Sequence, residues 1–299
     1  MSISMALTRF LLRFVPTTTE TAQTALRFAQ ERSSPAGIPG RLHRLATVEE
    51  STVNGRRVVR LSPRAPGRDP GAHLLYTHGG CYLYPIQSVH WRILGTLVRD
   101  SGVSVTVPLY GLAPEHTAEE AYALLDVLYD EAVAHHGDRV FLAGDSAGGG
   151  LALGQAVRYR DSGRTAPAGV LLISPWLDAT MSNPRVPELA RLDHMLAPAG
   201  LVAAGTWWAG ALDPRSPLVS PLFASLDSLP PVTVYQGGRD IFAADATLLC
   251  ERIAAAGGDV RLRFHPGAFH VFPAAPWTPE ARDALRDAAA VLAAHPLGR

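Results

Sequence analysis

Short apolar runs alternate with longer amphipathic stretches along most of the chain. Apolar runs of about four to eight residues indicate buried strands, whereas apolar residues spaced three and four apart indicate helices. The first two strands flank Asn54-Gly55, the best two-residue hairpin signal in the sequence. Further strands are predicted near residues 72–77, 103–107, 139–143, 169–174, 231–236 and 260–264, and helices near residues 87–100, 117–135, 147–160, 243–256 and 278–294.

This alternation predicts an α/β fold. We expect a mostly parallel central sheet with helices on both faces and an antiparallel hairpin at its start. One long interval, from Ser174 to about Pro231, breaks the alternation and is rich in proline, alanine and tryptophan. Because a compact domain seldom contains so long a structureless loop, we expect a helical cap inserted at about residues 178–228.

Composition is that of an ordinary globular enzyme. With 299 residues the chain can bury about three quarters of its unfolded surface. Lys and Arg number 27, as do Asp and Glu, so the zero net charge predicts no nucleic-acid partner and no attraction to an anionic membrane. The same lack of a lipid-binding signal disfavours a lipase that needs an oil–water interface. Cys81 and Cys250 indicate free thiols in a reducing compartment rather than a disulfide framework.

The N-terminal stretch from Ile3 to Val15 is apolar but interrupted by Arg9 and Arg13. The interruption and the missing small-residue cleavage site argue against a signal peptide. We expect instead an amphipathic helix that packs on the body or covers the functional site. No uninterrupted apolar run reaches the length of a membrane span, so we expect a cytoplasmic protein.

A serine stands at a predicted junction of strand and helix, in Gly144-Asp145-Ser146-Ala147-Gly148. The two glycines allow a sharp turn that exposes the serine hydroxyl at the N-terminus of the following helix. That terminus favours developing negative charge. The pattern predicts a nucleophile at Ser146, and its alternative is a glycine-rich turn with an incidental serine.

A second glycine-rich loop, His78-Gly79-Gly80-Cys81, directly follows the strand predicted at 72–77. Consecutive glycines let backbone amides converge on one point, as the oxyanion of an acyl-transfer intermediate requires. The amide directly after the nucleophile supplies a further donor. We therefore predict an oxyanion hole drawn from the amides of Gly79, Gly80, Cys81 and Ala147, of which two or three receive the oxyanion at once.

The remaining partners of a catalytic triad are expected at strand ends, in the order Ser, Asp, His. Asp240 follows the strand at 231–236, and its alternative role is to cap the next helix. Asp245 is the reserve candidate for the acid. His270 lies in the loop after the last strand, whereas His265 belongs to the strand end and is the weaker choice for the base.

Together these motifs resemble the hormone-sensitive-lipase branch of the α/β-hydrolases, over roughly residues 70–295. The marks are His78-Gly79-Gly80, the segment from Gly144 to Gly149, and the intervening stretch from Tyr110 to His116; the end of the chain also resembles the family at His270-x-Phe272. Two positions depart from the family pattern. Cys81 replaces the third glycine of the oxyanion loop, which adds a side chain beside the pocket, and Gly111 replaces a usual arginine.

The resemblance implies the α/β-hydrolase fold, with residues 1–45 as an N-terminal helical cap segment and residues 46–299 as the catalytic domain. It implies a serine hydrolase that cleaves small esters of short to medium acyl chains, acetyl esters included, through an acyl-enzyme. No metal and no organic cofactor is expected, and a homodimer is compatible with the family. The alternatives are an amide hydrolase (an N-deacetylase or formamidase) and a non-catalytic binding protein of the same fold.

Candidate substrate-pocket residues come from the loops and the cap. Large side chains near the motifs and in the inserted segment are candidates to face the substrate. The alternative for the cap tryptophans is that they attach the cap to the body. The candidates are Tyr82, Trp176, Met195, Trp207 and Trp208.

Overall fold

The computed structural model describes residues 1–64 and 71–294. Eight strands form one sheet: β1 (Ala46–Val53), β2 (Arg56–Pro63), β3 (His73–Thr77), β4 (Ser104–Pro108), β5 (Val140–Asp145), β6 (Gly169–Ile173), β7 (Val232–Gly237) and β8 (Val260–His265). Their order across the sheet is β1-β2-β4-β3-β5-β6-β7-β8. The pairs β1–β2 and β2–β4 are antiparallel and all other neighbours are parallel, which confirms the predicted mostly parallel sheet.

The predicted hairpin joins β1 to β2. Asn54 and Gly55 form its two-residue turn with φ values of 47° and 72°, and Val53 pairs with Arg56. Two successive positive φ values match the right-handed twist of the flanking strands, which is why the Asn-Gly dipeptide predicts this turn.

Ten α-helices surround the sheet. They are α1 (Ile3–Leu12), α2 (Ala22–Gln30), α3 (Gly40–Leu45), α4 (Ser88–Ser101), α5 (Ala118–His136), α6 (Ala147–Asp161), α7 (Val186–Ala190), α8 (Pro198–Ala209), α9 (Ala243–Ala255) and α10 (Pro279–Ala293), all within the described residues. None of the helices in the described ranges is long and apolar enough to cross a membrane.

Each face of the sheet carries its own hydrophobic core, because side chains alternate along a strand. On β5, Leu142 packs with the core that includes α5 and α6, whereas Phe141 and Ala143 pack with the core that includes α4 and α10. Burial on both faces explains the continuous apolar runs by which the parallel strands were predicted. The α/β architecture is therefore confirmed.

The segment before β1 and the segment between β6 and β7 pack on each other. Helices α2 and α8 are in contact, and Thr19 accepts hydrogen bonds from the amides of Gly200 (2.9 Å) and Ala197 (2.8 Å). Sequence patterns predicted α1 but neither α2 nor α3. Of the range 46–299 expected for the catalytic domain, residues 65–70 and 295–299 lie outside the described residues.

Candidate active site

Ser146 stands at a sharp turn between β5 and α6. Its backbone has φ 53° and ψ −122°, a region that a residue with a Cβ rarely adopts. The flanking glycines allow this turn because their surroundings leave no room for a side chain. A Cβ on Gly148 would lie 2.0 Å from the carbonyl oxygen of Thr77, and one on Gly144 would lie 2.2 Å from that of Gly148.

The structure brings Ser146, His270 and Asp240 together at the carboxyl edge of the sheet. His270 Nε2 lies 3.0 Å from Ser146 Oγ, and His270 Nδ1 lies 3.0 Å from Asp240 Oδ2. All three residues are buried. Asp240 Oδ1 also accepts a hydrogen bond of 2.9 Å from the amide of Phe242, the residue before α9, but no side chain of the described residues makes a capping hydrogen bond to that helix.

The two alternative triad members lie elsewhere. Asp245 accepts a hydrogen bond of 2.7 Å from Asn183 Nδ2 and makes no hydrogen bond or ion pair with His270 within the described residues. The ring of His265 packs on Phe272 with 4.7 Å between centroids. The geometry therefore selects Asp240 over Asp245 as the partner of His270.

Two opposing effects act on His270. Burial lowers the pKa of its imidazole, and the charge and hydrogen bond of Asp240, assisted by the charges of Asp193 and Asp145, raise it more strongly. The net pKa is therefore raised. The surrounding carboxylates stabilise an imidazolium, which is the form that arises when His270 takes a proton from Ser146.

Of the four candidate oxyanion donors, one amide is already bonded within the protein. The Gly79 amide donates a hydrogen bond of 3.0 Å to Asp145 Oδ1, so the prediction that Gly79 belongs to the oxyanion hole is wrong. Across residues 1–64 and 71–294, the amides of Gly80, Cys81 and Ala147 have no hydrogen-bond acceptor. Gly80 and Cys81 have φ values of 118° and 55°, so the loop turns through a conformation that favours glycine.

Asp145 fixes the oxyanion loop, a role that the sequence did not reveal. Besides the Gly79 amide, it accepts a hydrogen bond of 2.6 Å from Tyr76, and its Oδ2 lies 3.3 Å from His90 Nε2. His90 Nδ1 accepts the Gln87 amide at 2.8 Å, so Nε2 carries the proton that faces Asp145. Burial raises the pKa of Asp145, but His90, Tyr76 and Gly79 outweigh burial and lower it overall.

His78 shapes the same loop from behind. Its carbonyl oxygen accepts a hydrogen bond of 2.6 Å from Tyr110, and its Nδ1 lies 2.7 Å from the carbonyl oxygen of Gly79. Burial, then the charge of His90, lowers the pKa of His78 to about 4. A neutral His78 with the proton on Nδ1 therefore holds the loop by donating to Gly79.

A cavity of ≈390 Å³ opens beside Ser146 and His270, with a mostly apolar lining. Several regions contribute to it: α1 with the segment that follows it, the oxyanion loop and the start of α4, the turn at Ser146, and the loops after β6 and β8. Of these, the contribution of α1 fits the expectation of an N-terminal helix that packs on the body or covers the functional site, whereas no sequence motif includes Trp277. The lining includes Thr8, Leu12, Thr18, Gly80, Cys81, Tyr84, Met195, Leu196, Phe269, Ala274 and Trp277.

The structure corrects most of the predicted pocket residues. Met195 lines the cavity, but Tyr82, Trp176 and Trp208 do not. Tyr82 stacks on Trp208 with 4.2 Å between ring centroids and on Trp176 with 5.3 Å, and all three are core residues. Trp207 is partly buried against the same core. Aromatic stacking attaches the inserted segment to the body here, which was the alternative interpretation.

Cys81 lines the cavity as a buried free thiol. Burial, assisted by the charge of Asp193, raises the pKa of Cys81 to about 12. The thiol is therefore protonated at neutral pH, so Cys81 affects the cavity by its size rather than as a nucleophile.

Asp193, in the inserted segment, is a further buried carboxylate that sequence analysis missed. Its Oδ1 accepts the amide of Met195 at 2.7 Å, and its Oδ2 accepts the amide of Ile241 at 2.9 Å. It thereby joins the inserted segment to the loop that carries Asp240. Burial, then the charge of Asp240, raises the pKa of Asp193 to about 6. No sequence motif marks this position.

No group of three or more His, Cys, Asp or Glu side chains suited to a metal ion occurs in the part of the chain that the structure describes. The side chains arranged for nucleophilic chemistry at this edge of the sheet are Ser146, His270 and Asp240.

Comparison with known proteins places this geometry in a family. A family model described as the alpha/beta hydrolase fold matches residues 74–274. An acetyl-hydrolase of Streptomyces hygroscopicus is 33% identical over 232 residues, which cover 76% of this chain and 77% of that protein. A triacylglycerol lipase of Mycobacterium tuberculosis is 34% identical over 231 residues, which cover 75% of this chain but only 46% of the lipase.

Solved structures agree with the family match. The crystal structure of an esterase from the bacterial hormone-sensitive lipase family has a TM-score of 0.80 and 27% identity to this chain, and the match covers 99% of both chains. The chain therefore belongs to the α/β-hydrolase family, and within it to the group of esterases that resemble hormone-sensitive lipase.

Proposed function

We propose that this chain is a serine esterase that hydrolyses carboxylic esters of short to medium acyl chains, acetyl esters included. The observation that carries the proposal is the hydrogen-bonded series Asp240–His270–Ser146, with 3.0 Å at each step, beside an apolar cavity. Nucleophile, base and orienting acid are each present once, and free amides lie on the same side.

In the first half of the reaction, His270 Nε2 takes the hydroxyl proton as Ser146 Oγ attacks the ester carbonyl carbon. Asp240 holds the imidazole in the tautomer with the proton on Nδ1 and stabilises the imidazolium that forms. The amides of Gly80, Cys81 and Ala147 donate hydrogen bonds to the oxyanion. The tetrahedral intermediate then collapses, the C–O bond to the alcohol breaks, and His270 protonates the departing alkoxide.

In the second half, His270 removes a proton from a water molecule that attacks the acyl-enzyme. A second oxyanion forms at the same amides. Collapse of this intermediate releases the carboxylic acid and returns the proton to Ser146. The raised pKa of His270 helps both halves, since each begins by forming the imidazolium.

The cavity volume and lining support a small, apolar acyl group. A space of ≈390 Å³ lies near the lower end of the range typical of ligand pockets. The acetyl-hydrolase relative supports acetyl esters as one substrate class. We further propose that residues 1–45 and 178–228 together act as the cap, because Thr19 joins them and both contribute residues to the cavity.

Turnover of p-nitrophenyl esters from acetyl to octanoyl tests this proposal. Wild-type protein is expected to hydrolyse the short members, and Ser146→Ala is expected to lose about 10⁶-fold in turnover with the fold intact. A fluorophosphonate probe labels the wild type and not the variant. Retention of more than a few per cent activity in Ser146→Ala would overturn the nucleophile, and faster cleavage of an acetamide than of its matching ester would favour an amide hydrolase.

A further inference from the structure

Helix α1 exposes a continuous apolar stripe. Ile3, Leu7, Phe10 and Leu11 are 50–89% exposed and lie on one face, because residues three, four, seven and eight positions apart share a side of a helix. Phe14 and Val15 extend the stripe beyond the end of the helix. We call these six side chains the α1 surface.

The opposite face of α1 is attached to the body. Met5 is fully buried, and Leu12 lines the cavity beside Ser146. At the start of the helix, the Ser2 amide and hydroxyl donate to Glu280 at 2.6 and 2.7 Å. The helix is therefore apolar on both faces, and only one face is covered by protein.

Exposed apolar side chains are concentrated at this place. Within the described ranges twelve large hydrophobic side chains are exposed, and half of them form the α1 surface. The others include Val127, Val202, Leu248 and Phe264, which lie on four different elements. Scattered exposed hydrophobics are normal, whereas a contiguous patch marks an interaction surface.

A cluster of arginines borders the α1 surface. The Arg13 guanidinium lies 6.0 Å from the centroid of the Phe10 ring. Burial, and then the positive charges of Arg239 and Arg13, lowers the pKa of Arg9, so the three arginines lie close enough to repel one another. None of the three has a carboxylate partner in the described part of the chain, and α1 contains no acidic residue. This border is complementary to an anionic partner.

The α1 surface is continuous with the entrance to the cavity. Thr8 on α1 and Trp277 both line the cavity, and Trp277 Nε1 donates a hydrogen bond of 2.8 Å to Thr8 Oγ1. The indole is 54% exposed. Tryptophan favours boundaries between an apolar phase and water, because its ring is apolar and its N–H is polar.

We propose that the α1 surface docks on an anionic lipid membrane, where it holds the cavity entrance at the lipid boundary. Apolar side chains together with basic residues on one helix are typical of helices that lie in a membrane interface. A second copy of the chain fits this surface less well. In a two-fold dimer the patch would meet itself and bring the two arginine clusters together without compensating acids.

An arginine cluster beside the α1 surface attracts an anionic membrane, contrary to the expectation from overall composition. A net charge of zero averages over the whole chain and conceals a local cluster of cations. The inference concerns binding and does not depend on the proposed ester hydrolysis.

Cosedimentation of the full chain with vesicles tests the proposal. One set of vesicles contains phosphatidylcholine alone, and in the other a third of the lipid is phosphatidylglycerol. Wild-type protein is expected to bind the anionic vesicles more strongly. The variant Leu7→Ser/Phe10→Ser/Phe14→Ser is expected to lose at least about tenfold in partition coefficient. Arg13→Gln is expected to lower the partition coefficient about fivefold, on the anionic vesicles only.

The matched control replaces three exposed hydrophobics elsewhere, in Val127→Ser/Leu248→Ser/Phe264→Ser, and is expected to bind as the wild type does. Far-UV circular dichroism and thermal unfolding report whether each variant is folded, so this control does not depend on the proposed ester hydrolysis. If the triple variant fails to fold, Phe14→Ser alone replaces it, because Phe14 lies beyond the helix end. This single change is expected to lower the partition coefficient severalfold.

Three results would overturn the proposal. The first is wild-type protein that does not bind the anionic vesicles, and the second is an equal loss of binding in the control variant. The third is a wild-type dimer in analytical ultracentrifugation that the α1 variant converts to monomer, since the surface would then be an interface between copies.

Discussion

The backbone amide of Gly79 donates a hydrogen bond of 3.0 Å to Asp145 Oδ1. Asp145, which directly precedes the candidate nucleophile Ser146, therefore holds the oxyanion loop. The bond ties the loop after β3 to the end of β5 and removes one of the four candidate amides from the oxyanion hole. The same carboxylate also accepts a hydrogen bond from Tyr76 and lies 3.3 Å from His90 Nε2.

Asp145→Asn is expected to lower kcat by about 10²-fold with little change in KM, because an amide group placed opposite the N–H of His90 disturbs the loop. It should also cost about 1–3 kcal/mol of unfolding free energy. Tyr76→Phe, which removes one donor only, serves as the milder control. Steady-state kinetics and thermal unfolding measure both effects, and an unchanged kcat in Asp145→Asn would contradict a positioning role.

The choice of acid is tested by two parallel variants. Asp240→Asn is expected to lower turnover by about 10⁴-fold, because the wrong tautomer of His270 then faces Ser146. Asp245→Asn is expected to leave turnover near the wild-type level, since Asp245 bonds to Asn183 instead. The opposite ranking of the two variants would identify Asp245 as the acid.

Activity is expected to depend on the protonation of His270. Only the neutral imidazole accepts the serine proton, so kcat/KM should fall as pH drops through the pKa of His270. Because nearby carboxylates raise that pKa, the acidic limb should have its midpoint above the ordinary imidazole value of 6.5. Asp193→Asn should move the midpoint to lower pH. A wild-type midpoint below 6.5 would show that burial outweighs the carboxylates.

Asp245 is expected to destabilise the fold above about pH 6. Burial raises the pKa of Asp245 from 3.8 to about 6, so the folded state holds a proton that the unfolded state releases. Stability from this group is present below about pH 4 and lost as pH rises through 6. Asp245→Asn should therefore gain up to about 3 kcal/mol relative to wild type between pH 4 and pH 8. Denaturant unfolding at both values measures the gain, and equal differences at the two pH values would refute it.

Cys81→Gly is expected to relax acyl selectivity toward longer chains. The side chain lines the cavity, and its φ of 55° is one that glycine adopts without strain. Turnover and KM for acetyl through octanoyl esters, compared with Cys250→Ala as a remote control, measure the change. A loss of turnover at every acyl length would instead indicate a loosened oxyanion loop, and unchanged values would remove Cys81 from selectivity.

Local sequence determined the scaffold of the site. The strands β3, β5 and β7 could be predicted from their apolar runs, because both faces of the sheet bury them. The turn at Ser146 could be predicted from its glycines, because no other residue fits at those positions. The positions of Ser146, Asp240 and His270 after the strands β5, β7 and β8 also predicted which side chains would meet. Strand order in a parallel sheet places such loop residues at one edge.

Tertiary structure decided everything that depends on which surfaces pack together. Whether Tyr82 and Trp208 face substrate or each other is a question of stacking between segments far apart in the chain. Tertiary structure also decides the acceptor of the Gly79 amide, the partners of Asp193 and which side of α1 is exposed. Local sequence shows the polarity of each residue but does not show which distant segment it contacts. Local periodicity specifies elements, whereas long-range packing specifies what fills the space between them.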